Sequence, residues 1–241
     1  MSARFEEIDR RATPIGEISV RRRLEPTLQV DVYEVKLGDE FLMSSLFTVA
    51  EVALADLGLA ALDTTEPGSL DVVVGGLGLG YTARAALADP RVRSCYVVEA
   101  LGAVIGWHTG HLLPRSAEMT DDPRCHFVEG DFFAIVAGDG PFAPDAPERL
   151  HAVLLDVDHS PRHLLSETHA PFYEPAGLAR LSQRLHPGGV FGLWADGAPD
   201  DAFVATLAQV FATSAAHVVT FPNFYTGGES SSTVYVATTT P

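Results

Sequence analysis

Hydrophobic and polar residues alternate with a period of two near the start of the chain. The alternation runs through residues 18–23 and 28–36 and resumes over residues 40–43, after a Gly-Asp turn. Such alternation between turn residues is typical of antiparallel β-hairpins, because successive side chains of a strand point to opposite faces. The pattern therefore predicts a small β-hairpin unit, followed by an Ala- and Leu-rich helix over residues 47–59.

After a loop at residues 64–69, apolar runs alternate with amphipathic segments through most of the chain. The predicted strands are residues 71–74, 94–98, 126–129, 152–155 and 190–194, and the predicted helices lie around residues 81–88, 101–113, 173–185 and 200–213. This order is typical of a parallel sheet that is covered by helices on both faces. Two β runs at residues 217–221 and 233–237 predict a closing antiparallel pair. We therefore expect an α/β chain with an N-terminal β-hairpin subdomain and connecting helix over residues 1–62, and a main domain over residues 63–241.

Composition and net charge exclude some classes of protein. With 241 residues, of which 46% are hydrophobic, the chain is long enough to bury a full core in one main domain. It has no apolar run near the roughly 18 residues that a membrane span requires and no hydrophobic signal region at its start, so we expect a cytoplasmic protein without a membrane partner. The net charge of −16 argues against a nucleic-acid partner and is compatible with a cationic substrate. Cys95 and Cys125 form neither a disulfide framework nor a zinc pattern.

Residues 70–84 are the most informative segment. They predict a buried strand, a glycine loop with Gly76, Gly78 and Gly80, and the first turn of a helix. Glycines let the backbone turn tightly and approach a ligand, and the start of a helix offers free N–H groups. Glu99 ends the next apolar run, at about the 20-residue spacing at which nucleotide-binding folds hold ribose hydroxyls with an acid. A glycine loop also occurs where a strand passes close under a helix, but this order of elements predicts a Rossmann-like domain that binds a nucleoside-containing molecule.

Acidic residues follow three of the predicted strands. They are Glu99, Asp131, Asp156 and Asp158. Ligands of parallel α/β sheets bind at the carboxyl ends of the strands, so these acids are candidates for a binding site. An acid in this position also caps the next helix, as Asp131 would do for a helix that begins at Phe132. For one acid the two interpretations are equally strong, whereas four acids at one edge favour a site.

Together these segments resemble the S-adenosylmethionine-dependent methyltransferase superfamily and, within it, the spermidine synthases, which are polyamine aminopropyltransferases. The resemblance covers about residues 70–195, and the N-terminal hairpins also suit the family. It rests on residues 74–80, 97–99, 129–131, 154–161, 172–173 and 185–190. The resemblance implies a Rossmann-like class I methyltransferase fold, a homodimer, and transfer of an aminopropyl group from decarboxylated S-adenosylmethionine to a small-molecule amine.

The resemblance also implies roles for individual residues. The three glycines of the loop would hold the methionine-derived tail and the ribose of the cofactor. Glu99 would bind both ribose hydroxyls, and Asp131 would accept from the adenine amino group. Asp156 would face the cofactor at the reacting centre, where it helps to orient and deprotonate the attacking amine, and Asp158 would share that catalytic task.

Three features depart from the spermidine synthase pattern. The glycine loop contains no acid, position 159 is a histidine where the family usually has a second aspartate, and residues 43–51 replace a Tyr-His-Glu-like segment. Intact S-adenosylmethionine therefore stays open as the cofactor. A methyltransferase that acts on a small molecule is the alternative function, and a non-catalytic nucleoside-binding protein is the second alternative.

Several histidines are candidates for a general base or for metal ligands. His159, beside the two aspartates of the fourth strand, would act as a general base near neutral pH or would cap the following turn. Two sets of residues are candidates for metal ligands: the same aspartates with His159 and His163, and the helical pair His108 and His111. Neither set has the flanking residues of known metal sites. We therefore assign His159 to the catalytic group, expect no metal, and expect a surface position for the helical pair.

An aromatic segment lies before the last strand. Residues 221–230 include Tyr225 and two phenylalanines, which suit either a lid over a cationic substrate or a hairpin that packs on a neighbouring helix. Trp194, the last residue of the fifth predicted strand, allows the same two interpretations. We assign Tyr225 and Trp194 to substrate binding.

Overall fold

The computed structural model describes residues 5–241 of the chain. It contains a four-stranded antiparallel sheet near the N terminus and a seven-stranded, mostly parallel sheet. The strands of the small sheet, in spatial order, are β1 (Phe5–Thr13), β2 (Gly16–Glu25), β3 (Val30–Leu37) and β4 (Glu40–Ser44). The predicted antiparallel hairpins are therefore confirmed.

Strand β1 lies outside the predicted hairpins, which begin at residue 18. All of its residues are exposed or half-buried, so it has no hydrophobic alternation. Ion pairs connect it to β2 instead: Arg10 Nη1 lies 2.8 Å from Glu17 Oε1, and Arg22 Nη2 lies 2.8 Å from Glu6 Oε2. A strand held at its surface by charged pairs leaves no periodic hydrophobic signal in the sequence.

The large sheet contains the remaining strands. They are β5 (Leu70–Gly75), β6 (Val92–Glu99), β7 (Cys125–Glu129), β8 (Leu150–Leu155), β9 (Leu185–Asp196), β10 (Thr213–Asn223) and β11 (Gly228–Thr238). Their spatial order is β10-β11-β9-β8-β5-β6-β7. Strands β5 to β9 pair in parallel, whereas β11 pairs antiparallel with β9 and β10. The parallel sheet and the closing antiparallel pair are both as predicted.

Helices cover both faces of the large sheet. They are α1 (Val49–Ala60), α2 (Tyr81–Ala88), α3 (Gly102–Thr109), α4 (Ala117–Thr120), α5 (Phe132–Ala137), a 3-10 helix (Glu167–Tyr173), α6 (Pro175–Ser182) and α7 (Asp201–Leu207). Val72 and Val74 of β5 belong to one hydrophobic cluster with Leu54 of α1, whereas Val73 belongs to a second cluster with Phe133 of α5. The large sheet therefore has a hydrophobic core on each face, as expected for an α/β chain.

Some helices are shorter than the hydrophobic pattern predicts. Helix α3 ends at Thr109 instead of residue 113, because the chain leaves the helix at Gly110 and His111 takes a positive φ of 54°. The helix expected over residues 173–185 begins only at Pro175, where the fixed φ of proline suits the first helical position.

The two sheets are joined by a shared hydrophobic cluster. Helix α1 packs on α2, β9 and β11, and Ile18, Val20 and Val35 of the small sheet are buried in the same cluster as Leu54 of α1. The division of the chain between residues 62 and 63 stays a prediction. Helix α1 lies before that division in the chain but packs on strands of the large sheet. No helix within residues 5–241 has the length and apolar character that crossing a membrane requires.

Candidate active site

The glycine loop joins β5 to α2 and has a backbone that only glycine adopts readily. Gly76, Gly78 and Gly80 have φ values of 93°, 47° and 84°. A Cβ atom on Gly76 would overlap the carbonyl oxygen of Asp156, and one on Gly78 would lie 2.5 Å from Met43 Sδ. The loop is therefore rich in glycine because the segment after β8 and strand β4 both approach its backbone closely.

His108 of α3 supports the glycine loop. Its Nε2 lies 2.8 Å from the carbonyl oxygen of Gly78, its side chain is fully buried, and burial lowers its pKa. A carbonyl oxygen only accepts, so the neutral ring carries its hydrogen on Nε2. The expected surface position is therefore wrong for His108, because α3 turns this side chain inward towards the loop.

Glu99 lies at the carboxyl end of β6 and holds the other side of the loop. Its Oε2 accepts from the N–H of Leu77 at 3.0 Å, and its Oε1 accepts from the N–H of Leu101 at 2.9 Å. Burial raises the pKa of Glu99, and these backbone donors counteract the rise. Each carboxylate oxygen keeps a further lone pair for a hydroxyl donor.

Asp131 lies at the start of α5 and caps that helix. Its Oδ1 accepts from the N–H groups of Phe133 at 2.9 Å and Ala134 at 3.2 Å. The capping interpretation of this acid is thus confirmed. Both of these hydrogen bonds go to one carboxylate oxygen, and the residue also lines a cavity.

Two connected cavities lie above the carboxyl ends of the strands. The first, here called the Glu99 compartment, has a volume of about 350 Å³, and its own lining includes Val98, Glu99, Ala100, Leu101, Gly130, Asp131, Phe132, Phe133 and His169. The second, here called the Glu51 compartment, has a volume of about 310 Å³, and its own lining includes Phe47, Glu51, Gly80, Tyr81, His159, Trp194, Asp196, Phe221 and Ser232. Both are lined by Leu42, Met43, Gly76, Gly78, Asp156, Val157 and Leu165.

Asp156 stands at the junction of the two compartments. Its Oδ2 accepts from the Thr82 hydroxyl at 2.8 Å. Burial raises the pKa of Asp156 to about 6, although the Thr82 hydrogen bond lowers it. The group is therefore a carboxylate at neutral pH whose proton affinity suits proton transfer.

Glu51 is a lining residue that the sequence analysis did not identify as a candidate. It lies in the first turn of α1, and burial together with the negative charge of Asp156 raises its pKa to about 8. The signal available in the sequence was an acid within residues 43–51, the segment that departs from the family pattern.

The linings of both compartments are acidic. The carboxyl groups belong to Glu51, Glu99, Asp131, Asp156 and Asp196, and no Lys or Arg is found among the lining residues that the structure describes. A positively charged ligand therefore meets attraction in this cavity, and an anionic group meets repulsion.

Asp158 has different hydrogen-bond partners from Asp156. Its buried carboxylate accepts from the N–H of Leu165 at 2.7 Å, and it lies 2.9 Å from both His169 Nδ1 and the Tyr173 hydroxyl. The His169 ring in turn stacks on Phe133, with 3.8 Å between ring centroids. Asp158 thus lies outside the lining of both compartments, and His169 forms part of the Glu99 compartment.

Of the remaining predicted residues, His159 and Trp194 line the Glu51 compartment and Tyr225 lines neither compartment. His159 Nε2 lies 3.4 Å from Glu40 Oε1 without forming a hydrogen bond. The Tyr225 hydroxyl accepts from Arg23 at 2.7 Å and donates to Glu25 at 3.0 Å, so this side chain fastens the β10–β11 turn to β2. Within residues 5–241, no group of three or more His, Cys, Asp or Glu side chains is arranged to hold a metal ion.

Comparison with known proteins identifies similar chains. No protein-family model matches this chain. A curated protein of Pseudomonas aeruginosa, polyamine aminopropyltransferase 2, is 29% identical over 164 residues, which are 64% of this chain and 43% of that protein. The matched segment therefore spans less than half the length of this relative.

Solved structures of spermidine synthases share the fold. A spermidine synthase in complex with the transition-state analogue AdoDATO has a TM-score of 0.73 at 17% identity, over 96% of this chain and 73% of that one. Spermidine synthase of Thermotoga maritima has a TM-score of 0.70 at 16% identity, over 96% and 72% of the two chains. In sequence, this chain is similar to a polyamine aminopropyltransferase, and in fold it is similar to solved spermidine synthases.

Proposed function

We propose that this chain is a transferase that moves an aminopropyl group from decarboxylated S-adenosylmethionine to a small-molecule amine. The observation that carries the proposal is the pair of acidic compartments that meet at the glycine loop and Asp156 and have no Lys or Arg among their described lining residues. A sulfonium donor and an amine acceptor are both cations, which such a cavity attracts. The name of the Pseudomonas aeruginosa relative supports the same reaction.

The Glu99 compartment suits the nucleoside part of the donor. Gly76, Gly78 and Gly80 let the ligand approach the backbone, and the Glu99 carboxylate has lone pairs left for the ribose hydroxyls. Asp131 would accept from the adenine amino group through Oδ2, since its capping bonds use Oδ1. The AdoDATO complex of a spermidine synthase with the same fold supports this assignment.

The reaction is a displacement at the carbon next to the sulfonium sulfur. The free amine of the acceptor forms a C–N bond as the C–S bond breaks, and the electron pair of that bond goes to sulfur, which leaves as the thioether of methylthioadenosine. Amines of this kind have a pKa of about 10, so the acceptor arrives as an ammonium ion. We assign Asp156 to bind that ammonium and take its proton, so that the lone pair faces the donor carbon.

The other predicted residues receive narrower roles in this proposal. We assign His159 and Trp194 to the acceptor side, since both line the Glu51 compartment away from Glu99. Asp158 is a positioning residue that acts through His169 and Tyr173. Tyr225 positions the β10–β11 turn beside the acceptor side. A main domain from residue 63, a homodimer and a cytoplasmic location also remain part of the proposal.

Product analysis tests the proposal. The protein is incubated with decarboxylated S-adenosylmethionine and a diamine, and separately with S-adenosylmethionine and the same amine, and products are identified by mass spectrometry. We expect methylthioadenosine and an aminopropylated amine from the first mixture. Release of S-adenosylhomocysteine from the second mixture, with no methylthioadenosine from the first, would favour the methyltransferase instead.

A further inference from the structure

Two acidic residues line the Glu51 compartment from different elements, and one hydroxyl contacts the side chain of one and the backbone of the other. Glu51 lies in the first turn of α1, Asp156 follows β8, and Thr82 lies in the first turn of α2. The Thr82 hydroxyl lies 2.8 Å from Asp156 Oδ2 and 3.3 Å from the carbonyl oxygen of Glu51. Glu51 is therefore placed beside the start of α2, on the glycine-loop side of the compartment.

Resting on the proposed aminopropyl transfer, we propose that Glu51 is the specificity residue that binds the free ammonium group at the end of the donor's propyl chain. The same acid disfavours intact S-adenosylmethionine, whose extra carboxylate would enter a compartment that already holds Glu51 and Asp156. Selectivity then comes from attraction to one donor combined with repulsion of the other.

The surroundings of Glu51 suit this role. No other side chain within residues 5–241 donates a hydrogen bond or an ion pair to its carboxyl group, and the described lining has no Lys or Arg. Glu51 is half-buried, and a carboxylate in such a position is more stable with a cationic partner than without one. An ammonium group supplies one positive charge and three N–H donors, so it is the partner that this position lacks.

The proposed sites for the donor's ammonium group and for the acceptor amine lie on different sides of the Glu51 compartment. Glu51 adjoins α2, which begins directly after the glycine loop, so it lies where the tail of a donor bound by that loop would end. His159, Trp194 and Asp196 line the compartment from the segments after β8 and at the end of β9. The acceptor amine then approaches Asp156 from that second side.

Proton release provides a direct readout. Burial and the charge of Asp156 raise the pKa of Glu51 to about 8, so without a cation Glu51 carries a proton at neutral pH. Binding of an ammonium favours the carboxylate and releases that proton. The other titratable groups facing Glu51 are Asp156 with a pKa of about 6, Tyr81 with a pKa raised by burial, and the lining residues His159 and Asp196.

The experiment compares Glu51→Gln with Asp56→Asn, which makes the same acid-to-amide change at an exposed position of the same helix. Calorimetry at neutral pH, in buffers of different ionisation enthalpy, measures the binding of three ligands to the full chain: decarboxylated S-adenosylmethionine, S-adenosylmethionine and methylthioadenosine. The first ligand has the ammonium alone, the second also has the carboxylate, and the third lacks the propylamine.

We expect Glu51→Gln to weaken binding of the decarboxylated donor by about ten- to a hundredfold and to abolish its proton release, because a charge-assisted hydrogen bond is lost. The affinity of Glu51→Gln for methylthioadenosine should equal that of the unmodified protein. Asp56→Asn should bind all three ligands as the unmodified protein does. Unchanged affinity of Glu51→Gln for the decarboxylated donor would overturn the inference while leaving aminopropyl transfer intact. A parallel loss of methylthioadenosine binding would reduce Glu51 to a structural residue, and an unmodified protein that binds neither donor would refute the proposed function itself.

Discussion

Glu99 has a structural task and a proposed binding task in one carboxylate. Burial raises its pKa, whereas the N–H groups of Leu77 and Leu101 stabilise the charged form and tie the glycine loop to the end of β6. Because backbone donors already orient the carboxylate, little side-chain freedom is lost when a ligand's hydroxyls bind to it. The hydrogen bonds that hold the glycine loop therefore also orient the carboxylate that is proposed to bind the ligand.

We predict that Glu99→Gln weakens binding of methylthioadenosine by about 1.5–3 kcal/mol, because a neutral amide replaces a charged acceptor. Calorimetry of the folded variant measures the change. Glu129→Gln is the matched control, since Glu129 is exposed at the end of β7, pairs in register with Glu99 and lines neither compartment. Equal affinities in the two variants would remove Glu99 from the ligand site.

Asp156→Asn should leave methylthioadenosine bound and lower kcat by about a hundredfold or more, because an amide cannot accept the proton of the amine. The pKa of Asp156, raised to about 6 by burial, sets the pH dependence. In the unmodified protein kcat/KM should fall as the pH drops through this value, since the protonated acid no longer binds or deprotonates an ammonium. An acid limb that persists unchanged in Asp156→Asn would assign the titration to another group.

The sequence indicates most of these acids as candidates and misses Glu51 for a physical reason. Glu99, Asp131 and Asp156 follow parallel strands, and the ends of such strands meet at one edge of the sheet whatever the side chains do. Glu51 lies on a helix, where its place in the first turn does not tell which face meets the glycine loop. Asp158 lies beyond the end of β8, where the alternation of strand side chains no longer fixes its direction.

At the scale of elements, the segment after β8 is held by one buried carboxylate. Asp158 joins the N–H of Leu165 to the His169 ring and the Tyr173 hydroxyl, and so fixes the segment that forms part of the Glu99 compartment. Removing one partner of such a network leaves the others buried and unsatisfied. We therefore expect a substitution at Asp158 mainly to lower the stability of the fold.

We predict that Asp158→Asn lowers the free energy of unfolding by about 2–4 kcal/mol, because an amide replaces an acceptor that holds several donors. Denaturant titration measures the loss. Tyr173→Phe, which removes a single hydrogen bond, should cost about 1 kcal/mol and provides a milder variant. If folded Asp158→Asn loses turnover as completely as Asp156→Asn while stability stays unchanged, Asp158 is a catalytic residue after all.

Element boundaries are predictable only where burial leaves a pattern. Every residue of β5 is buried, so its apolar run marks the strand directly. Strand β9 begins at Leu185, five residues before the predicted start, because Leu185 pairs with Leu150 through its backbone while the following Pro and Gly residues give no hydrophobic signal. Strand β1 leaves no such signal either, since its pairing to β2 relies on exposed charged residues.

At the scale of the whole molecule, the compartments lie where the small sheet meets the large one. Phe47, between β4 and α1, stacks on Phe224 with 5.4 Å between ring centroids, and Tyr225 bonds to Arg23 and Glu25 of β2. These partners are far apart in the chain, so no local periodicity predicts them. The net charge of −16 likewise does not predict that five acidic residues line the two adjoining compartments.

Tyr225→Phe tests whether the β10–β11 turn shapes the acceptor side. The change removes the hydroxyl and keeps the ring beside Phe47, and Arg23 and Glu25 retain their own contact of 2.9 Å. The expected cost in the free energy of unfolding is therefore only about 0.5–1.5 kcal/mol. Because Phe221 lines the Glu51 compartment and no residue of the turn lines the Glu99 compartment, acceptor KM should rise while methylthioadenosine affinity stays the same.

Hydrogen exchange separates the two ways in which Tyr225 can affect the acceptor. If the hydroxyl fastens the turn, Tyr225→Phe should speed amide exchange in residues 221–230 and leave exchange in the glycine loop unchanged, because a looser turn opens more often. A raised acceptor KM without faster exchange would indicate direct contact between the hydroxyl and the amine. Faster exchange with an unchanged KM would show that the turn lies outside the substrate path, and His159, Trp194 and Asp196 would then form the acceptor side without it.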